Sequence, residues 1–135
     1  MINILSKFKQ KRIAVVGDLM LDKYIFGKVD RISPEAPIPI VAVKEEREVP
    51  GGAANVATNI STLGAEAFLF GIVGNDSAKD VLVARAHDFG ISTEGITIDD
   101  SKVTIQKIRV LGQGQQLVRI DYEDRNYAEN HAESV

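Results

Sequence analysis

Residues 50–74 read PGGAANVATNISTLGAEAFLFGIVG, and the hydrophobic period changes within them. From Gly51 the apolar residues Ala53, Val56, Ala57, Ile60 and Leu63 recur at helical spacing, and Gly64 supplies a C-terminal stop. This predicts a helix over about residues 52–63. Ala67 to Val73 is a continuous apolar run of strand length closed by Gly74, the pattern of a buried strand. Upstream, Ile13-Ala14-Val15-Val16 is short, β-branched and followed by Gly17, which predicts a first buried parallel strand. Downstream, Ser77 and Asp80 resemble a capping box, Leu82, Ala86 and Phe89 share one face, and Gly90 closes a second helix. Strand, helix, strand and helix in this order predict βαβ units and a parallel, helix-covered sheet, so the fold class is α/β.

Two segments break that rhythm. All four prolines (Pro34, Pro37, Pro39 and Pro50) fall between residues 34 and 50, where a central strand or helix interior would lose backbone donors. Within that region Tyr24 to Val29 and Ile38 to Val43 are rich in β-formers, predicting strands that project from the main sheet as a flap or lid over residues 22–49. Later, Val103 to Val110 and Leu117 to Tyr122 flank Gly112-Gln113-Gly114-Gln115, which reads as a hairpin. In its second strand Val118, Ile120 and Tyr122 alternate with Leu117, Arg119 and Asp121, so one face can pack while the other carries charge. Residues 125–135 have no apolar period and read as an acidic tail or a helix start, leaving 1–124 as the structured unit.

Composition narrows the function classes. The chain has 135 residues, 44% hydrophobic and 26% charged, which fits one globular domain and neither a disordered nor a fibrous chain. Sixteen basic against 19 acidic residues give a formal charge of -3, which offers no basic field for nucleic acid. No stretch has the uninterrupted apolar length of a bilayer span, so no membrane partner is expected. There is no Cys, and His87 and His131 stand isolated, so no metal site is expected; a cytoplasmic location fits.

Three groups of residues are candidates for chemistry. Asp18 and Asp22 follow strand one, at the edge where open α/β sheets bind ligands. A carboxylate there accepts hydrogen bonds from two adjacent sugar hydroxyls, or it satisfies nearby loop amides. Gly51, Gly52 and Asn55 open the first helix, where close backbone approach and helix-start amides suit polar or anionic atoms, unless the glycines only shape the helix start. Lys107, Arg109 and Arg119 suit a sugar phosphate, or they are solvated strand charges. A Walker loop, a nucleophile elbow and a His-Glu-x-x-His pair are absent from the sequence.

Taken together, VVGDLMLDKY, RISPEAPIPIV, PGGAANVATNISTLGA and TIQKIRV to QQLVRIDYE resemble the PfkB, or ribokinase-like, carbohydrate kinases over residues 11 to about 124. RISPEAP, PGGAANVA and QQLVRID together are most similar to the kinase domain of the bacterial D-glycero-β-D-manno-heptose 7-phosphate kinases, often fused to an adenylyltransferase. The resemblance implies a partial, mostly parallel central sheet flanked by helices with a small β-sheet lid. It implies a sugar phosphate held by Asp18, Asp22, Gly51, Gly52, Asn55, Lys107, Arg119 and Arg109, with Arg31 and Glu35 as weaker lid candidates. It also implies ATP and Mg²⁺ as cofactors of the complete enzyme and a homodimer through the lid. The family's second signature, a Gly-Ala-Gly-Asp-like segment carrying the anion hole and the base, does not occur in these residues. The resemblance therefore places the base beyond residue 135 and implies that the chain alone is inactive and binds no nucleotide tightly. A non-catalytic sugar-binding or dimerisation module, and a kinase for fructose, ribose or ketodeoxygluconate, are the alternatives.

Overall fold

In the computed structural model, which describes residues 7–123, the chain forms two sheets and two α-helices. After a single 3-10 turn (Phe8–Gln10) come β1 (Arg12–Val16), β2 (Leu19–Ile32), β3 (Pro39–Gly52), α1 (Ala53–Thr62), β4 (Glu66–Val73), α2 (Ser77–Asp88), β5 (Ser92–Ile98), β6 (Ile105–Gly112) and β7 (Gln115–Tyr122). Strands β1, β4 and β5 make a parallel three-stranded sheet in the order β1-β4-β5. The second sheet has the order β3-β2-β6-β7, with β2 antiparallel to β3 and parallel to β6, and β6 antiparallel to β7.

Alternation decides which side of the parallel sheet is filled. Val15, Ala67, Leu69 and Val73 point to one face, where Ala54 and Ala57 of α1 and Ala78, Leu82 and Ala86 of α2 complete the core. Alanines on the helices let them approach the sheet closely. Leu19 and Leu21 of β2 join the same core, so the second sheet is rooted in the first. Gly71 makes that root possible: a Cβ there would lie 2.5 Å from the Gly17 carbonyl oxygen and 2.7 Å from Leu19.

Both helices end as their glycines imply, with Gly64 and Gly90 at φ 92° and 69°. The expected flap strands are longer than the sequence indicates, 14 residues each, and the hairpin β6–β7 extends the same sheet. Pro39 and Pro50 fit because β3 is an edge strand, which tolerates missing donors, and Pro34 and Pro37 lie in the link between β2 and β3. The hairpin turn is Gln113–Gly114, both at positive φ (52° and 79°), the primed geometry that matches strand twist.

Three expectations need correction, and one element was missed. The N-cap of α2 is Asp76, not Ser77, because Asp76 is extended and its carboxylate accepts the Lys79 amide at 3.0 Å. Asp22, expected just past strand one and ahead of the flap strands, is the fourth residue of β2. β5 has no counterpart in the sequence reading. The apolar alternation of β7 does not pack: Val118, Ile120 and Tyr122 remain 48%, 44% and 50% exposed. The acidic tail expected at 125–135 lies outside the described residues.

Asp76 also fixes where the second hairpin begins. Its other oxygen accepts the Thr104 amide at 2.8 Å, while the fully buried Thr104 hydroxyl accepts the Gly74 amide at 3.0 Å. Burial alone would push the Asp76 carboxyl up, but the amides of Thr104 and Lys79 outweigh it and hold the carboxyl below its ordinary value. A lowered folded value means stability that is present above the unfolded value and lost as pH falls through the folded one. Asp76→Asn should cost about 1–3 kcal/mol at neutral pH. In urea denaturation the gap between wild type and variant should be constant above about pH 5 and shrink below 3.8. A gap independent of pH would contradict this role.

Candidate functional site

The carboxyl end of β1, the start of α1 and one face of the second sheet meet at Gly51 and Gly52. Gly52 has φ 54° and ψ -130°, a conformation closed to side chains, and a Cβ there would lie 2.5 Å from the Asp18 carbonyl oxygen. That carbonyl accepts the Ala53 amide at 3.0 Å. The opening of α1 therefore uses backbone from the β1–β2 link, and no side chain caps it among the described residues. The side chains of Asp18 and of Asn55, in the first turn of α1, are exposed and make no hydrogen bond among the described residues.

Register brings the remaining candidates into two rows on one face. Val49, Asp22, Lys107 and Asp121 lie side by side across β3, β2, β6 and β7, and Arg47, Tyr24, Arg109 and Arg119 form the next row. Arg109 Nη1 donates to Asp22 Oδ1 at 2.6 Å, and its guanidinium lies 5.2 Å from the Tyr24 ring centroid. The hydrogen bond to Asp22 raises the Arg109 pKa further above its ordinary value, against the effect of burial. Lys107 Nζ reaches Asp121 Oδ2 at 3.3 Å and Glu123 Oε2 at 3.5 Å, and Arg119 Nε donates to Asp121 Oδ1 at 2.9 Å.

The sequence named Asp22, Lys107, Arg109 and Arg119 as candidates in two separate groups; strand register brings them onto one face and pairs them. Each cation already holds a carboxylate, and Asp121 and Glu123 were missed as partners. Only a strand register would have placed Asp121 opposite Lys107. Arg31 and Glu35 lie elsewhere, at and beyond the far end of β2. Nine residues of strand separate Arg31 from Asp22, roughly 30 Å. A groove beside β3, lined by Arg47, Val49, Pro50, Arg85 and Phe89, contains none of the candidates.

Comparison with known proteins gives the chain's family and fold. Residues 10–134 match the model of the pfkB family carbohydrate kinases. The chain belongs to that family. It is 48% identical over 120 residues to the bifunctional protein HldE of Shewanella baltica, covering 89% of this chain and 25% of that protein. It is 49% identical over 112 residues to the HldE of Methylobacillus flagellatus, covering 83% and 23%. The chain thus spans about a quarter of the length of these relatives. Among solved structures it superposes on a carbohydrate kinase from Agrobacterium tumefaciens with a TM-score of 0.68 at 22% identity, covering 83% of this chain and 35% of that one. An Arabidopsis thaliana ribokinase solved with ribose and ATP gives 0.63 at 20% identity, covering 81% and 35%. The fold is ribokinase-like, with a parallel sheet, flanking helices and a second mixed sheet.

The Gly51–Asp22 contact is testable. A Cβ on Gly51 would lie 2.6 Å from Asp22 Oδ2 and 2.8 Å from Met20 Cγ, and Asp22 is already held by Arg109. Gly51→Ala should cost about 1–3 kcal/mol and lower Tm by several degrees, read by calorimetry. In an Asp22→Ala background the cost should shrink; additive costs in the double-mutant cycle would contradict the contact.

Proposed function

We propose that the chain is the acceptor-binding part of an ATP-dependent cytoplasmic sugar kinase. Its acceptor is D-glycero-β-D-manno-heptose 7-phosphate, phosphorylated at the anomeric hydroxyl to the 1,7-bisphosphate, a precursor for lipopolysaccharide core synthesis. The observation that carries this reading is the continuity of the site. Free acceptors at Asp18 and Asn55 adjoin the Gly51–Gly52 junction, which touches Asp22, and Asp22 leads through Arg109 to the face of the second sheet that carries Lys107 and Arg119 among paired carboxylates. A ligand that is a sugar at one end and a phosphate at the other suits that order. The identity to two HldE proteins supports the kinase class and favours the heptose.

The chain's part in such a reaction is positioning. Asp18 and Asp22 accept hydrogen bonds from adjacent hydroxyls, Asn55 and the α1 amides hold polar oxygens, and the lid face excludes water as it closes. In the complete enzyme Mg²⁺ and ATP supply the phosphoryl group and neutralise its charge. This part of the enzyme therefore orients the acceptor, and alone it should not turn over.

Calorimetric titration of the chain tests the reading. Heptose 7-phosphate should bind about tenfold or more tightly than fructose 6-phosphate or the unphosphorylated heptose, and Asp22→Asn or Asn55→Ala should each weaken it about tenfold. Equal binding across the panel, or unaffected variants, overturns the assignment. ATP-dependent phosphorylation by the chain alone would overturn its inactivity.

A homodimer through the second sheet is part of the same proposal. Val118, Ile120 and Tyr122 lie with Ile108 and Val110 on the face opposite the ion pairs, an apolar strip continuous across β6 and β7. A non-catalytic dimerisation module would use the same strip, and heptose 7-phosphate binding separates the two readings. Analytical ultracentrifugation should show a dimer for the wild type and a monomer for Ile120→Lys. A monomeric wild type removes the dimer.

A further inference from the structure

The two carboxylates on the charged face do different work. Asp22 is on the central strand β2, opposite Lys107 of β6, and its partner Arg109 is largely covered and held at 2.6 Å. Asp121 is on β7, an edge strand, opposite Lys107 and one rung from the last pair of the ladder. Asp22 and Asp121 are almost equally covered (18% and 19% exposed), so the difference lies in their partners. Arg119 is half exposed and the Lys107 contact is long, 3.3 Å.

The geometry points to Asp121 as a built-in counter-ion seated in the acceptor's phosphate subsite, replaced there by an incoming phosphomonoester dianion between Lys107 and Arg119. Its two oxygens are divided between the two cations, Oδ2 to Lys107 and Oδ1 to Arg119, as two oxygens of a phosphate would be. Arg109 and Arg119 stand directly opposite each other in register, an arrangement of like charges that needs an anion beside it. Asp121 supplies that anion. The face carries Lys107, Arg109 and Arg119 against Asp22, Asp121 and Glu123, so formal charges cancel. A dianion arriving at a neutral face gains little unless one carboxylate withdraws. Asp121 can do so by rotating its side chain at the end of an edge strand, without disturbing Asp22–Arg109.

The same balance bears on the acidity of Asp121. Burial would raise the Asp121 carboxyl, but Arg119 and Lys107 more than offset this and hold it below its ordinary value. Asp121 is the seated anion of a cation pair, and removing it should leave a vacant anion site. Its exchange for phosphate sets affinity through a difference between two anions on the same donors, and a dianion is favoured over a monoanion or a neutral hydroxyl.

This inference deepens the acceptor-site reading, on which it rests only for the nature of the ligand's phosphate. The test uses the 135-residue chain and inorganic phosphate at neutral pH, with ionic strength matched by chloride. Asp121→Asn should bind phosphate about tenfold more tightly than wild type, and adding Lys107→Gln should abolish the gain. In the wild type, carboxyl-carbon NMR should show the Asp121 signal moving with phosphate while that of Asp22 stays in place. This measurement needs no variant to fold. An Asp121→Asn chain that binds no better than wild type, a gain that survives Lys107→Gln, or a stationary Asp121 signal overturns the inference. Phosphate exchange without preference for the heptose sinks the substrate and leaves the counter-ion standing. Heptose 7-phosphate binding with no gain in Asp121→Asn does the reverse.

Discussion

The absence of side chains at Gly51 and Gly52 is the constraint on which the structure turns. At this point an edge strand of one sheet becomes the helix that covers the other, within a single residue. Gly52 takes a conformation closed to other residues so that the Ala53 amide can reach the Asp18 carbonyl, and Gly51 leaves room for the Asp22 carboxylate. A backbone hydrogen bond therefore ties the carboxyl end of β1 to the start of α1, and van der Waals contact ties both to the charged face. This junction and the Leu19 crossing above Gly71 restrain movement of the second sheet relative to the first on this side.

Asp76 and Thr104 fix the other side of the second sheet. Three residues after Thr104 the chain presents Lys107, and two later Arg109. The cations are thus placed from the core by the α2 cap, while Asp22, the partner of Arg109, is placed by the glycine junction. Two independent anchors converge on one ion pair. This is how a site on a projecting sheet can be held to the precision that acceptor orientation requires.

Much of this was legible in the sequence where local chemistry decides. The periodicity of residues 53–63, the glycine stops and the runs at 13–16 and 67–73 are local signals, and the structure follows them within a residue or two. β5 was not legible because Ser92-Thr93-Glu94-Gly95 interrupts its apolar pattern, and pairing with β4 supplies what propensity does not. The cap slipped by one residue because Asp76 and Ser77 are both capping types, and the backbone dihedral alone chooses between them. The candidate site was legible as residue types but not as pairs. Asp22 and Arg109 are 87 positions apart and meet through the parallel pairing of β2 with β6, a register no local pattern encodes. Likewise the β7 alternation named an apolar face without saying what covers it.

That distinction between an apolar face and a covered one extends to the parallel sheet. Parallel strands are ordinarily buried on both sides, and here the two sides are equally apolar. Val15, Ala67, Leu69 and Val73 meet α1 and α2, whereas Val16, Phe70 and Ile72 point the other way and are exposed among the described residues. Phe70 compensates in part by lying across Gly95 of β5, where only a residue without a side chain leaves space for the ring. The uncovered side was thus shaped for close packing by the same rules as the covered one. Its Val, Phe and Ile residues cost a lone chain solubility and gain it little stability, because apolar surface stabilises a fold only where it leaves water. The described residues therefore draw their hydrophobic stabilisation from one helix layer where the pattern of the strands provides for two.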